Sequence, residues 1–420
     1  MANSPSKLGQ GLELPAPSQL ADELRHLAGF VFLDSSSSEE DTNIQDYSRF
    51  SLITALPEQI LEGNLFDDSD RCRLEAAYRE NSSASNTTPD LGFPGPGLYG
   101  YVTYEGNFSF GLYRHCLVYD HRHQKWSEIG ELSRYRNHVS HIAGSARVNF
   151  KGEVSREQFC EMVIAAQDYI SAGDIYQVNL SHRFAAHVDS TYSTYNLYRR
   201  LREQSPAPYA AFIQLGEHEI ISSSPEQFLS ISGRTVQTRP IKGTRPRFRD
   251  REQDEKSAYD LITSTKEIAE LIMITDLERN DLGQICEFGS VTTTELLKLE
   301  RFAQVFHLVS TVEGTLCPEI SPVEALHNCF PGGSITGAPK KRSREIINEL
   351  EPLPRGVYTG TVGCFGFNGE SRFNIAIRTA IKEGKQLHFH VGAGIVADSV
   401  PDKEWEETLQ KAAGIFQSAS

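Results

Sequence analysis

The sequence has few of the features that indicate a zinc-bound, disulfide-linked, membrane or nucleic-acid-binding protein. Its seven cysteines include no CxxC pair, so neither a zinc site nor a disulfide framework is indicated. No apolar run approaches the roughly 18 residues of a membrane span, and the chain does not open with a basic-then-apolar signal pattern. A net charge of −15 argues against a nucleic-acid surface. We therefore expect a cytoplasmic globular protein with neither membrane nor nucleic-acid partners.

Strand-like and helix-like segments occur in clusters along the 420 residues rather than in strict alternation. Such an order favours an α+β fold with large antiparallel sheets. We divide the chain into a strand-rich region, 1–150, and a second region, 151–420. Hydrophobic spacing predicts helices at 155–171, 192–204, 256–278, 341–350 and 402–416. Aromatic and β-branched runs predict a hairpin from 97–104 and 108–119, and strands at 357–367, 371–381 and 387–396.

One lysine is held in a well-defined backbone frame. Pro240 fixes its own φ and restricts Arg239, and Gly243 lets the chain turn directly after Lys242. Such a frame can aim a single amine. A strand that ends in a turn with a solvated lysine is the alternative, and the six residues 239–244 taken alone favour it, since most lysines are exposed.

Acidic side chains on two predicted helices could hold a metal ion. Glu404, Glu407 and Lys411 are spaced by three and then four residues, so they share one helical face. A surface salt-bridge ladder is the alternative for this face. Glu270, in the helix at 256–278, is either an exposed spacer or an inward ligand. Two carboxylates from separate helices, together with a substrate carboxylate, would suit Mg²⁺.

The glycine-rich segment 330–340 has the composition of a phosphate loop, but Lys340 does not directly follow the second glycine as a Walker motif requires. Its backbone N–H groups, with Ser334 and Thr336, can still cradle a carboxylate. Cys364 lacks the first glycine of the G-x-C-x-G motif of glutamine amidotransferases, where this chain has valine. We therefore expect Cys364 to be a core residue.

Seven blocks in order resemble the chorismate-utilising enzyme family, over roughly residues 155–416. They are SSPE at 223–226, PIKGT at 240–244, DLERND at 276–281, HLVST at 307–311, FPGGSITGAPK at 330–340, IRT at 377–379 and VGAGIVADSVPDKEWEETLQKA at 391–412. Seven ordered blocks are far more specific than any single motif. The resemblance implies the anthranilate-synthase-like fold, in which two large antiparallel β-sheets pack together with helices on the outside.

The residue at position 242 distinguishes the reactions of this family. The branch that forms 4-amino-4-deoxychorismate has lysine in this block, whereas the anthranilate-forming branch has alanine. The resemblance therefore implies transfer of nitrogen to chorismate, on the way to p-aminobenzoate and folate. It implies that Lys242 attacks C2 of chorismate covalently while Glu226 protonates the departing C4 hydroxyl. Anthranilate formation, and a paralogue that binds chorismate without turnover, are the alternatives.

The resemblance also implies the surroundings of the substrate. Glu270 and Glu407 match Mg²⁺ ligands, with Glu404 nearby, and the ion would bind the ring carboxylate. Further substrate-binding positions are Arg378, Lys411, Tyr358, His307, Ser334, Thr336, Gly392, Ala393 and Gly394. The two cations among them would hold the enolpyruvyl carboxylate, and a buried histidine without a chemical role is the alternative for His307. A separate glutamine amidotransferase subunit is expected to supply ammonia.

Overall fold

Two antiparallel β-sheets form the centre of the molecule. The computed structural model describes residues 9–10, 13–35, 48–84, 92–137, 147–302 and 304–420. The larger sheet contains β1 (Gly9–Gln10), β2 (Val31–Asp34), β3 (Phe50–Thr54), β7 (Cys116–Asp120), β8 (Lys125–Ile129), β9 (Lys151–Gly152), β10 (Gln177–His187), β11 (Tyr209–Leu215), β12 (His218–Ser224), β18 (Gly337–Ala338), β21 (Thr379–Glu383) and β22 (Gln386–Ile395). The smaller sheet contains β4 (Gln59–Asn64), β5 (Gly97–Val102), β6 (Asn107–Tyr113), β13 (Gln227–Ser232), β14 (Thr235–Arg239), β15 (Ile241–Pro246), β16 (Thr292–Arg301), β17 (Val305–Thr315), β19 (Thr361–Gly366) and β20 (Glu370–Asn374).

Strands from the first 137 residues lie in both sheets. The order in the larger sheet is β1-β8-β7-β3-β2-β11-β12-β21-β22-β10-β18, with β9 also paired to β10. The order in the smaller sheet is β15-β17-β14-β13-β20-β19-β5-β6-β4, with β16 also paired to β17. Early strands therefore pair with late ones, as β2 does with β11 and β5 with β19. The division of the chain at residue 150 stays a prediction.

The helices pack on the two sheets. They are α1 (Pro17–Leu24), α2 (Asp68–Ala84), α3 (Arg156–Ser171), α4 (Thr194–Gln204), α5 (Arg251–Ile262), α6 (Thr265–Gly283), α7 (Pro322–Cys329), α8 (Lys340–Leu350) and α9 (Pro401–Ala419). α9 packs on β22 with α3 and α4 beside it, whereas α5 and α6 pack on β15, β16 and β17. Among the described segments, no helix has the length and apolarity needed to cross a membrane.

Apolar side chains of both sheets fill the layer between them. Tyr99, Tyr101 and Cys364 of the smaller sheet pack with Val31 and Ile213 of the larger sheet. Removal of this apolar surface from water is the main contribution that holds two sheets face to face. Cys364 is fully buried with a free thiol, so the prediction that it is a core residue is confirmed. The predicted α+β architecture of two large antiparallel sheets is also confirmed.

A capping residue divides one predicted helix into two. The segment 256–278 contains the end of α5 and most of α6, so the prediction of one continuous helix is wrong. Ser264 has an extended backbone, with φ −70° and ψ 106°, and its hydroxyl accepts from the Glu267 N–H. By contrast, Ser155 and Gln158 form a capping box at the predicted start of α3. The other predicted helices match α4, α8 and α9 with ends shifted by a few residues.

Two adjacent strands pass from one sheet to the other. The predicted strand 371–381 is divided into β20 in the smaller sheet and β21 in the larger sheet. Beside it, β12 of the larger sheet leads through Glu226 into β13 of the smaller sheet. Two backbone hydrogen bonds link the two crossings. The Ser223 N–H donates to Arg378 O (3.1 Å), and the Ile375 N–H donates to Glu226 O (3.0 Å). Residues at these crossings therefore lie where the two sheets meet.

The other predicted strands keep their places with changed ends. β5 and β6 form the predicted hairpin, but the run 108–119 also includes β7, which belongs to the larger sheet. The run 357–367 narrows to β19, and the run 387–396 corresponds to β22 with both ends one residue earlier. Alternating apolar residues continue across these changes of sheet, so the sequence pattern alone does not mark them.

Candidate active site

A bulge in β15 sets the direction of Lys242. The pairing of β15 with β17 slips between Lys242 and Thr244, at Gly243, whose φ of +71° is left-handed. A Cβ at Gly243 would stand 2.6 Å from Leu261 Cδ1, so only glycine fits this position without a shift. The backbone frame that the sequence predicts around Lys242 is therefore present in the fold.

The amine of Lys242 lies between an acid and a glycine-containing strand. Its Nζ is 3.6 Å from Glu270 Oε2 and 3.5 Å from the point where a Cβ at Gly394 would stand. The Lys242 side chain is 17% exposed, which does not fit a solvated lysine at the end of a strand. Since α6 carries Glu270 and β22 carries Gly394, three distant segments of the chain meet at this amine.

Glu226 is a buried carboxyl at the crossing between β12 and β13. Burial raises the pKa of Glu226 to about 7, although the Ser334 hydroxyl and the Lys242 ammonium oppose the change. The nearby Glu278 carboxyl adds to the rise of this pKa. The raised pKa lets the Glu226 carboxyl keep its proton to a higher pH than an exposed glutamate does. A carboxyl group with this pKa can donate a proton to a leaving group.

Arg378 lies near Glu226, His307 lies near Arg378, and the two side chains have different charges. Arg378 has a left-handed backbone, φ +50°, at the crossing between β20 and β21. Burial lowers the pKa of Arg378, and the Glu226 carboxyl offsets part of that change. Burial and the neighbouring Arg378 lower the pKa of His307 to about 3, and its Nδ1 lies 3.1 Å from Thr244 Oγ1. His307 is therefore neutral at neutral pH, which suits a pocket wall or a buried hydrogen-bonded histidine.

The glycine-rich loop 330–340 holds a carboxylate that belongs to the protein. The Gly333 N–H donates to Glu278 Oε1 at 3.0 Å, so one N–H of the predicted cradle is occupied by a side chain of α6. Thr336 is fully buried and its hydroxyl donates to a carbonyl of the same loop at 3.0 Å. The Ser334 hydroxyl is also buried, and it faces the Glu226 carboxyl, whose ionised form it stabilises. Of the two predicted hydroxyls, Ser334 is therefore the one that lies beside Glu226.

A second acid of α6 fixes the far end of this loop. Lys340 Nζ donates to Asp281 Oδ2 at 2.5 Å and to Cys329 O at 3.0 Å. Burial raises the pKa of Asp281 to about 7, against the effect of the Lys340 ammonium. The DLERND block therefore anchors the glycine-rich loop through both of its buried carboxyl groups.

One face of α9 carries Glu404, Glu407 and Lys411 towards the end of β22. Lys411 Nζ lies 2.8 Å from Glu407 Oε1 and donates to Gly392 O at 2.9 Å. Glu404 is buried, and its Oε1 accepts from Ser399 Oγ at 2.8 Å. This face contacts the glycine-containing strand and buries an acid, so a fully solvated salt-bridge ladder does not describe it.

The glycines of β22 make room for neighbouring side chains. A Cβ at Gly392 would stand 2.8 Å from Tyr358 Oη, and a Cβ at Gly394 would stand 2.7 Å from Gln177 Nε2. Ala393 lies between these glycines, so its side chain points to the opposite face and packs in the apolar core. Only the backbone of Ala393 can therefore contribute to a ligand site on the Lys242 side of the strand.

Two acids have oxygens that suit a divalent cation. Glu270 Oε1 and Glu404 Oε2 are buried and make no hydrogen bond to a described residue. Carboxylate oxygens are the ligands that Mg²⁺ prefers, and an orphaned buried oxygen is costly unless a cation or donor reaches it. Glu407 is paired with Lys411 instead. Within the parts of the chain that the structure describes, no three His, Cys, Asp or Glu side chains form a group that could hold a metal ion, so water or a substrate would complete the coordination.

Several contributors to the site are not among the predicted residues. Lys266 stands four residues before Glu270 on α6, so the helical spacing could have indicated it. Gln177, at the start of β10, lies beside the glycines of β22 and has no local sequence signal. Glu278 and Asp281 lie in the DLERND block, but only the fold shows that they hold the glycine-rich loop.

The arrangement combines a nucleophile, a proton donor and cationic groups. The charge of Lys242 lowers the pKa of the Glu226 carboxyl, so the two side chains lie near each other. Arg378 and Lys411 add positive charge, which suits an anionic ligand. Such a set can add an amine to an electron-poor carbon while a protonated leaving group departs.

Comparisons with known proteins identify the family of the chain. The family described as chorismate binding enzyme matches residues 54–417. Anthranilate synthase component 1 of Thermus thermophilus is 45% identical over 272 residues, which are 65% of this chain and 58% of that protein. Aminodeoxychorismate synthase component 1 of Bacillus subtilis is 44% identical over 264 residues, which are 63% of this chain and 56% of that protein. The chain thus spans a little over half the length of these two curated relatives.

A solved structure supports the fold. The crystal structure of anthranilate synthase component I from Streptococcus pneumoniae aligns with a TM-score of 0.76 at 32% identity, over 88% of this chain and 92% of that chain. The predicted anthranilate-synthase-like architecture is therefore confirmed.

Proposed function

Because the chain belongs to the chorismate-binding enzyme family, we propose that it converts chorismate and ammonia to 4-amino-4-deoxychorismate. Overall sequence identity does not indicate which product is formed, since relatives named for anthranilate and for aminodeoxychorismate are about equally similar to this chain. The observation that carries the proposal is the position of Lys242. Its amine is largely buried, 3.6 Å from Glu270, in the place where the anthranilate-forming branch has alanine.

Lys242 would act as the first nucleophile. The Lys242 ammonium first transfers a proton to the ionised Glu226 carboxyl. The resulting neutral amine forms a bond to C2 of chorismate, the ring double bonds shift, and the bond from C4 to its hydroxyl oxygen breaks. Ammonia then adds at C4, the double bonds shift back, and the bond from C2 to the lysine nitrogen breaks. The lysine is released unchanged, and chorismate has exchanged a hydroxyl for an amine with loss of one water.

Glu226 would move the proton that this exchange requires. In its protonated form it donates to the departing hydroxyl, which leaves as water. The resulting carboxylate then accepts a proton from the nitrogen that ammonia has added at C4. A pKa of about 7 suits both directions of transfer near neutral pH.

Acids and cations around the amine would orient the substrate. The orphaned oxygens of Glu270 and Glu404 fit Mg²⁺, and Glu407 lies on the same face of α9. When bound, the ion would supply positive charge for the ring carboxylate. Arg378 and Lys411 would hold the enolpyruvyl carboxylate, with Lys411 already fixed at Gly392 O.

A partner protein would supply the ammonia. Free NH₃ is scarce at neutral pH, and the two relatives are each named as component 1 of their enzymes. We propose a glutamine amidotransferase as the second component. The product would leave as aminodeoxychorismate for a separate lyase.

Incubation with chorismate, Mg²⁺ and an ammonium salt tests the reaction. We expect p-aminobenzoate only after aminodeoxychorismate lyase is added, because the first product keeps its enolpyruvyl group. Anthranilate fluorescence without lyase would instead support the anthranilate-forming alternative, for which one of the two similar relatives is named. Chorismate binding without any product would support a paralogue without turnover.

A further inference from the structure

A lysine outside the predicted site stands between the two acids that fit the metal. Lys266 Nζ is 3.9 Å from Glu270 Oε1 and 3.7 Å from Glu404 Oε1. Glu270 lies one helical turn further along α6, whereas Glu404 lies on α9, so Lys266 joins two helices that are remote in sequence. The Lys266 side chain is 52% exposed, while those of the two acids are 11% and 4% exposed. The lysine therefore reaches from the solvent to two buried carboxylates.

The two acids lie among two lysines. Lys266 Nζ faces Glu270 and Glu404 at 3.9 and 3.7 Å, and Lys242 Nζ faces Glu270 at 3.6 Å. Opposite charges at these distances attract each other, and they do so more strongly where water is excluded. Lys266 thus supplies positive charge to both buried carboxylates.

We propose that Lys266 is a displaceable counter-ion, which neutralises Glu270 and Glu404 in the metal-free chain and moves into solvent when a divalent cation binds their oxygens. The inference rests on the proposed function, because that function assigns Mg²⁺ to these carboxylates. Both lysine–carboxylate distances exceed hydrogen-bonding length. One oxygen of each acid also makes no hydrogen bond to a described residue. The group is therefore less tightly bonded than the pair of Lys340 and Asp281, which meet at 2.5 Å.

A displaceable counter-ion and a structural ion pair differ in the sign of one effect. Lys266→Met removes a cation that competes with the metal, so a divalent cation should bind more tightly. The same change leaves the buried Glu404 without this cation and leaves Glu270 with Lys242 alone, so the metal-free chain should be less stable. A purely structural lysine would weaken both the fold and the metal site.

Binding of Mn²⁺ in the absence of chorismate tests the proposal, followed by the electron paramagnetic resonance signal of the free ion. We expect Lys266→Met to bind Mn²⁺ about tenfold more tightly than the wild type. Lys266→Arg keeps the charge and should stay close to the wild type. Lys256→Met is the matched control, because it removes the charge of an exposed lysine on α5.

Two outcomes separate this inference from the metal site on which it rests. If Glu270→Gln abolishes wild-type binding but Lys266→Met binds no more tightly than the wild type, the counter-ion role is overturned and the metal site stands. If Glu270→Gln binds Mn²⁺ like the wild type, the proposed metal site and this inference are both overturned. Thermal unfolding gives a second readout: Lys266→Met should have a lower Tm than Lys266→Arg without metal, and a larger rise in Tm with Mn²⁺. An unchanged metal-free Tm would also contradict the proposal.

Discussion

Lys242 and Lys340 are two lysines of the candidate site with almost equal exposure and opposite surroundings. Their side chains are 17% and 18% exposed. Lys340 donates to Asp281 Oδ2 and to Cys329 O, which fixes the end of the glycine-rich loop. Lys242 stands 3.6 Å from Glu270 and makes no hydrogen bond to a described residue. Exposure alone therefore does not distinguish the two lysines; the number and length of their contacts do.

The carboxyl groups near the two lysines extend the comparison. Burial raises the pKa of Glu226 and of Asp281 to about 7. Asp281 accepts a hydrogen bond directly from Lys340, so this acid helps to stabilise the fold. Glu226 lies at a strand crossing, and the charge of Lys242 acts on its carboxyl. Lys340 and Asp281 therefore hold a loop, whereas Lys242 and Glu226 are the lysine and the acid to which we assign chemistry.

Removal of the Lys242 amine should have the largest effect. We expect Lys242→Ala to lower the rate of aminodeoxychorismate formation by on the order of 10³-fold, because the nucleophile is lost. Its free energy of unfolding should change by less than about 1 kcal/mol, because the contact with Glu270 is long. A coupled lyase assay and urea unfolding measure the two quantities. A variant with the wild-type rate would contradict the covalent role, whereas slow direct attack by ammonia would not.

Removal of the Lys340 ammonium should act on stability first. We expect Lys340→Met to lower the free energy of unfolding by about 3 kcal/mol, because Asp281 loses its buried partner. Burial raises the pKa of Asp281, so this carboxyl is neutral at acidic pH and needs no cation there. The loss of stability in Lys340→Met should therefore be smaller at acidic pH. Urea unfolding of Lys340→Met, Asp281→Asn and the double variant gives the coupling energy. If the losses of stability in the two single variants add up in the double variant, Lys340 and Asp281 are not coupled. That result would contradict the difference between Lys340 and Lys242 described above.

Loss of the Glu226 proton should have a smaller effect on rate and a distinct dependence on pH. We expect Glu226→Gln to lower the rate about 10²-fold and to remove a fall in kcat/KM above about pH 7, because that fall reports loss of the acid.

The raised pKa of Glu226 also affects the stability of the fold, with a defined sign. The pKa rises from 4.5 to about 7 on folding, so protonated Glu226 favours the fold below the lower value and this contribution is lost as pH rises through the higher one.

The same shift gives a control that does not depend on activity. Because glutamine does not titrate, the stability of Glu226→Gln relative to the wild type should rise by about 2 kcal/mol between about pH 5 and about pH 8. Urea unfolding at the two pH values measures it. A constant difference between the two proteins would contradict the raised pKa of Glu226.

The sequence predicted the parts of the site that depend on local pattern. The frame of Pro240 and Gly243, and the shared face of Glu404, Glu407 and Lys411, both follow from dihedral preferences and helical spacing. The two antiparallel sheets were also predictable, because strand-like segments occur in clusters. Each of these features depends on residues that are close to one another in the sequence.

The sequence could not predict features that depend on the change of sheet. The run around Arg378 alternates like one strand, yet the chain leaves the smaller sheet there and enters the larger one. The partner of the glycine-rich loop was missed for a related reason: Glu278 is some 55 residues from Gly333, so only the packing of α6 brings them together. Contacts between remote segments are set by the whole fold and leave no local signal.

Mass spectrometry of the intact chain tests the central role of Lys242 most directly. The chain is mixed with chorismate and Mg²⁺ without ammonia and is then denatured rapidly. We expect a species heavier by chorismate less one water, with the added mass on Lys242, and no such species in Lys242→Ala. A wild-type chain of unchanged mass, in a sample that forms aminodeoxychorismate as soon as ammonium is added, would contradict the account.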